Sequence, residues 1–132
     1  MFGELVPLGG GDPIPLLKKR LRVGRRDSND IVLDFGNVSG YHCLMEIEEG
    51  YWFIKDLRSR NGVKVSGKKL MANFRKRIDP DVIVTIAKHQ FELNYDPADL
   101  GAYGTPPQDD QIEEILNESL LERAGLKKSD KK

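Results

Sequence analysis

Cys43-Leu44-Met45-Glu46-Ile47-Glu48-Glu49-Gly50-Tyr51-Trp52-Phe53-Ile54-Lys55-Asp56-Leu57 is the stretch that decides the fold. Cys43, Met45 and Ile47 alternate with His42, Leu44, Glu46 and Glu48, the period-two pattern of a strand with one buried face. Glu49-Gly50 reads as a tight turn, because glycine tolerates the positive φ that such turns need. Tyr51 to Ile54 is aromatic and β-branched, so it reads as the returning strand. The same grammar of short apolar runs broken by Gly, Asn, Asp and Pro extends through the first 95 residues. Leu5-Val6-Pro7-Leu8 and Ile14-Pro15-Leu16-Leu17 flank the turn Gly9-Gly10-Gly11-Asp12, and Leu21-Arg22-Val23 follows. Val63-Lys64-Val65 and Lys68-Lys69-Leu70 bracket Ser66-Gly67, and Val82 to Ile86 and Phe91 to Tyr95 close the set. This pattern predicts an all-β antiparallel sandwich or barrel, with no helix longer than one turn before residue 96. Pro7, Pro13 and Pro15 lack a backbone donor, so the first strands are expected at an edge or irregular.

The bulk numbers set outer limits. A chain of 132 residues can hold one domain with a sizeable core. Apolar residues make up 39% and charged residues 32%, which suits a folded domain plus a solvated tail. The formal charge is zero, but residues 1–70 hold 12 Lys and Arg against 9 Asp and Glu. A mild local excess of this kind suits an anionic ligand without making a polyanion binder. The single cysteine, Cys43, excludes an internal disulfide and a thiolate zinc centre, and its apolar neighbours place it in the core. No apolar run is long enough to span a membrane and no secretory leader is visible, so a cytoplasmic protein is expected.

Composition changes after Tyr95. Pro97, Gly101, Gly104 and Pro106-Pro107 read as a linker over residues 97–109. Asp110 and Glu113 form a capping box, and Ile112, Ile115, Leu116 and Leu120 recur at helical spacing up to Gly125. The expected organisation is a β-sandwich over 1–96, the linker, an amphipathic C-terminal helix over 110–126, and a disordered tail over 127–132. The helix offers a surface for packing on the sandwich or for self-association. Its acidic polar face argues against membrane binding.

Three islands interrupt the apolar pattern at strand ends: Gly24-Arg25, Ser39 to His42, and Asn61-Gly62. Arginine presents a rigid donor fork that matches phosphate oxygens, serine a short hydroxyl donor, and asparagine both a donor and an acceptor for a peptide main chain. The order Gly-Arg, Ser-x-x-His, Asn-Gly resembles the forkhead-associated (FHA) domain family of phosphothreonine-binding modules. Arg26-Asp27-Ser28-Asn29-Asp30-Ile31-Val32-Leu33, the Trp52 strand and Ser59-Arg60-Asn61-Gly62 extend the resemblance. It implies that Arg25 and Ser39 contact phosphate and Asn61 the ligand backbone, that Gly24 and Gly62 permit tight turns, and that His42 braces the Ser39 loop. It implies a phosphothreonine-containing partner in kinase-linked signalling and no cofactor. The chain departs from the family at Gly40 and Arg60, where arginine and threonine are frequent. Arg60 is expected to turn towards the ligand, and Arg26 and Ser28 are expected at the rim.

Other readings are weaker. Ser39, His42 and Asp56 are the only set resembling a hydrolase triad, and no strained nucleophile turn surrounds Ser39. His42 and His89 are the only histidines, and His89 reads as a surface turn residue, so no metal site is expected. The basic clusters around Lys18-Lys19-Arg20 and Arg75-Lys76-Arg77 lack interleaved aromatics, so nucleic acid is not expected either. The serious alternative is a phosphate-independent adaptor that uses the C-terminal helix or a sheet face. Thr105, in the linker, is the one accessible threonine the chain could offer to its own kind.

Overall fold

The computed structural model describes residues 1–109. Eleven strands build two sheets: β1 (Glu4–Pro7), β2 (Ile14–Pro15), β3 (Arg20–Gly24), β4 (Ile31–Val32), β5 (Cys43–Glu48), β6 (Tyr51–Asp56), β7 (Val63–Val65), β8 (Lys68–Lys69), β9 (Arg75–Ile78), β10 (Val82–Ile86) and β11 (His89–Asn94). One sheet runs β2-β1-β11-β10-β7-β8 and the other β4-β3-β5-β6-β9. The all-β class follows the sequence reading, with two corrections. β3 and β4 pair in parallel through Val23 and Ile31, so the second sheet is mixed rather than purely antiparallel. β2 is the edge, as expected, whereas β1 lies between β2 and β11; Pro7 is tolerated there because β2 pairs only with Glu4 and Leu5, so its missing donor faces no partner strand. The helix expected over 110–126 and the tail beyond it lie outside the described residues.

The hairpin of β5 and β6 is the centre of the second sheet, with Glu48 paired to Tyr51 across Glu49 (φ 52) and Gly50 (φ 86). Both turn residues are left-handed, which matches the twist of the two strands. Cys43 and Met45 are fully buried, as are Trp52 and Ile54, while Phe53 between the last two is buried as well, with the Arg75 guanidinium 4.6 Å from its ring centroid. Cys43, Met45, Trp52 and Ile54 meet Val63, Val84, Ile86 and Leu93 of the opposite sheet in one core. Burial raises the Cys43 thiol far above its ordinary range, aided by nearby Asp56, which leaves it an inert core group.

Two aromatic side chains anchor the end of the sandwich remote from the islands. Trp52 Nε1 donates to the Phe2 carbonyl at 3.0 Å. The Tyr95 hydroxyl accepts from the Trp52 amide at 3.2 Å and donates to the Ile78 carbonyl. Burial pushes the Tyr95 phenol from 10.0 up to about 12. An unfolded chain therefore ionises Tyr95 first, so the stability this group gives is complete below pH 10 and lost as pH rises towards about 12. Tyr95→Phe is expected to remove that alkaline decline while lowering stability at neutral pH. Urea midpoints at about pH 8 and about pH 11 measure both effects, and an unchanged alkaline slope contradicts the assignment.

Residues 97–109 lie back on the second sheet. Pro97–Leu100 forms a 3-10 turn capped by Asp96 and Gly101. Asp109 accepts from the Arg77 amide at 2.7 Å on edge strand β9, and the Arg77 guanidinium donates to the Pro107 carbonyl at 2.7 Å. A Cβ on Gly50 would stand 2.4 Å from the Ala102 nitrogen, so glycine at that turn also makes room for this segment.

Candidate functional site

The three islands converge at one rim of the sandwich. β3 ends at Gly24, and the loop that follows is stitched to the loop before β5: the Arg25 amide donates to the Ser39 carbonyl at 2.9 Å and the Arg26 amide to the Gly40 carbonyl at 3.2 Å. Gly24 is required for this approach, since a Cβ there would stand 2.2 Å from the Gly40 carbonyl oxygen. Buried Asn29 clamps the same seam, its Nδ2 donating to the Arg26 and Gly40 carbonyls at 2.9 and 2.7 Å.

His42 joins the second island to the third. Its ring is fully buried. Nδ1 accepts from the Ser39 amide at 3.0 Å, so Nε2 carries the proton and donates to the Gly62 carbonyl at 2.9 Å. That carbonyl also accepts from the Ala87 amide at 3.0 Å, so one oxygen ties the rim loop of β5 to both β7 and the β10–β11 turn. Gly62 holds φ +76, a conformation that favours glycine. Its amide donates to Ser59 Oγ at 3.0 Å, and Ser59 Oγ donates in turn to buried Asp56 at 2.5 Å. In this geometry the Ser39, His42 and Asp56 set is not a nucleophile relay. Both imidazole nitrogens face backbone groups, and Asp56 holds Ser59 rather than His42.

These braces leave a cleft of about 230 Å³ lined by Arg25, Asn37, Ser39, Gly40 and Arg60, together with Gly36 and Val38. Ser39 Oγ accepts from the Arg60 amide at 3.0 Å, which leaves its own proton free to donate. No carboxylate lines the cleft. The guanidiniums of Arg25, Arg26 and Arg60 make no ion pair among the described residues, whereas Arg75, Lys76 and Arg77 elsewhere do. Asn61 sits beside the cleft with Nδ2 donating to the Asn37 carbonyl at 2.7 Å. Arg26 and Ser28 are exposed and do not line it.

Gly40 has a specific structural partner. A Cβ at this position would meet Arg26 Nε at 2.8 Å and Arg26 Cγ at 3.2 Å. The Arg26 side chain therefore occupies the space that a side chain at position 40 would take. The sequence also concealed the role of Asn37, whose Oδ1 binds His89 Nε2 at 2.9 Å while Phe35 stacks on the His89 ring at 4.1 Å. His89 is thus half-buried, not a free surface residue, because β11 begins at it and turns it towards the β4–β5 loop. Beyond this pair lies a groove of about 680 Å³ lined by Leu8, Val32, Phe35, Lys88 and Phe91 among others. Among the described residues there is no cluster able to hold a metal ion and no helix long and apolar enough to cross a membrane.

A mixed two-sheet sandwich with a basic, hydroxyl-bearing cleft built from rim loops defines a recognition module of the FHA class. The FHA domain family model matches residues 21–87, and the chain belongs to that family. The transcriptional regulatory protein EmbR of Mycobacterium tuberculosis is 40% identical over 63 residues, 48% of this chain but only 16% of EmbR. The structure of Mycobacterium tuberculosis EmbR in complex with a low-affinity phosphopeptide superposes with a TM-score of 0.65 and 29% identity, covering 79% of this chain and 26% of that one. The FHA domain of CT664 from Chlamydia trachomatis gives 0.62 and 28%, covering 70% and 95%. The N-terminal FHA domain of Rad53 from S. cerevisiae, solved with a phosphothreonine peptide, gives 0.68 at 17% identity over 76% and 98%, a likeness of fold.

Proposed function

We propose that this protein recognises phosphothreonine in partner proteins, as a reader in kinase-linked signalling within the cytoplasm and not as an enzyme. The observation that carries this reading is the cleft itself: two arginines and a serine line a small polar space, and no carboxylate does. A phosphate monoester brings nearly two negative charges and three acceptor oxygens, which suits such a donor set. In this reading Arg25, Ser39 and Arg60 hold the phosphate, and Asn61 bonds the ligand main chain beside it. Gly40 makes room for the Arg26 side chain at the cleft's edge, and Arg26 and Ser28 flank the cleft. Gly24, His42 and Gly62 are positioning residues. The proposed binding module comprises residues 1–96, with 97–109 laid against its second sheet.

Each charge-assisted bond contributes about 1.5–3 kcal/mol, so a few of them with main-chain contacts give an affinity of roughly micromolar order. The test is calorimetric titration with one peptide in phosphothreonine, phosphoserine and unphosphorylated forms. The phosphothreonine form is expected to bind and the unphosphorylated form to show no measurable heat. Equal binding of all three would move the function to the phosphate-independent adaptor.

A further inference from the structure

Tyr41 stands directly beside Gly40 in the chain but on the outer side of the seam. Its ring, 39% exposed, carries the Arg22 guanidinium at 4.2 Å and the Arg26 guanidinium at 5.1 Å from its centroid. Its hydroxyl lies 3.1 Å from Ser28 Oγ. Neither arginine makes an ion pair among the described residues, and Arg22 Nε is a buried donor with no acceptor. Asp30 feels the Arg22 charge but is already engaged: it accepts from the Arg22 backbone amide at 2.9 Å and from Lys18 Nζ at 2.8 Å. The patch therefore holds two cations and two hydroxyls, and among the described residues no carboxylate pairs with either guanidinium.

We propose that this patch is a second anion subsite that takes an acidic or phosphorylated residue flanking the phosphothreonine of the same peptide. The inference rests on the phosphothreonine reading of the neighbouring cleft. Continuity supports one peptide over two separate ligands. Gly40 lines the cleft, and Arg26 packs against Gly40 while its guanidinium faces Tyr41, so a single side chain spans from the cleft's edge to the patch. Adjacent Cα atoms are about 3.8 Å apart and an extended ligand advances about 3.3 Å per residue. The second anion therefore falls within about three residues of the phosphothreonine. The patch is also electropositive: the Ser28 hydrogen bond first, and then the charges of Arg26 and Arg22, hold the Tyr41 phenol below its ordinary range. Arg26 over Gly40 thus does more than replace a side chain missing from position 40. It extends the cation field sideways, from the phosphate to its neighbour in sequence.

The experiment compares peptides carrying one phosphothreonine with peptides that add glutamate or phosphoserine at each of the three positions on either side. Fluorescence anisotropy is measured on the wild type, Arg22→Gln and Tyr41→Phe. One register is expected to bind about fivefold to tenfold tighter than the singly phosphorylated peptide, more for phosphoserine than for glutamate. Arg22→Gln is expected to erase that gain and leave singly phosphorylated binding unchanged. Tyr41→Phe keeps the ring and reduces the gain only in part, which separates loss of the patch from loss of the fold. No gain in any register, or a gain that survives in Arg22→Gln, overturns the subsite. If the singly phosphorylated peptide itself fails to bind the wild type, the phosphothreonine reading falls, and the subsite with it.

Discussion

A protein carrying Arg25→Ala is expected to bind a phosphothreonine peptide at least about a hundredfold more weakly than the wild type, with no change in its melting midpoint. The magnitude follows from losing a bidentate guanidinium–phosphate pair, two charge-assisted bonds of about 1.5–3 kcal/mol each, where about 1.4 kcal/mol is tenfold. The separation of binding from stability follows from the geometry. What Arg25 gives to the fold is its backbone amide, bound to the Ser39 carbonyl at 2.9 Å, and alanine keeps that bond. Its side chain is exposed and without an ion pair among the described residues. Arg25→Lys is expected to restore only part of the loss, because an ammonium supplies the charge without the planar fork. Titration beside a thermal melt checks both halves. An alanine variant that binds within about threefold of the wild type would remove Arg25 from the site.

His42→Ala acts through stability instead. The imidazole is fully buried and bonded at both nitrogens, so truncation leaves the Ser39 amide without an acceptor and opens a cavity behind the rim. An unsatisfied buried donor costs about 1–3 kcal/mol, and large-to-small truncation in a core about 2 kcal/mol or more. The expected loss is about 3–5 kcal/mol in urea denaturation, a large share of the total stability of a domain this size. Peptide affinity falls as well, because Ser39 and Gly62 are no longer held in register. A loss below about 1 kcal/mol would show that the loops carry themselves without the ring.

Much of this protein is legible in its sequence for a simple reason. The β5–β6 hairpin announces itself because alternation and a Glu-Gly turn are local properties, and a strand buried on one face must repeat every second residue. The islands stood out by their order along the chain, since taken singly Gly24-Arg25, Ser39 and Asn61-Gly62 are ordinary strand-end and turn residues. Asn37 and Tyr41 carried no such signal. Asn37 reads as an ordinary turn residue until Asn61 and His89 are seen to reach it from 24 and 52 residues away. Tyr41 reads as a residue beside a strand until Arg22 and Arg26 are placed across it. The parallel pairing of β3 with β4 was equally invisible, because a two-residue strand has no period to read.

By itself the sequence determined the all-β class, the turns and the residue types able to meet a phosphate, since these rest on backbone preference and side-chain chemistry within a few residues. Only the tertiary structure decided which of those residues share a cleft, and that Arg26 fills the space above Gly40. Those facts depend on contacts between loops far apart in the chain, where a carbonyl 2.2 Å from an absent Cβ has no counterpart in local pattern.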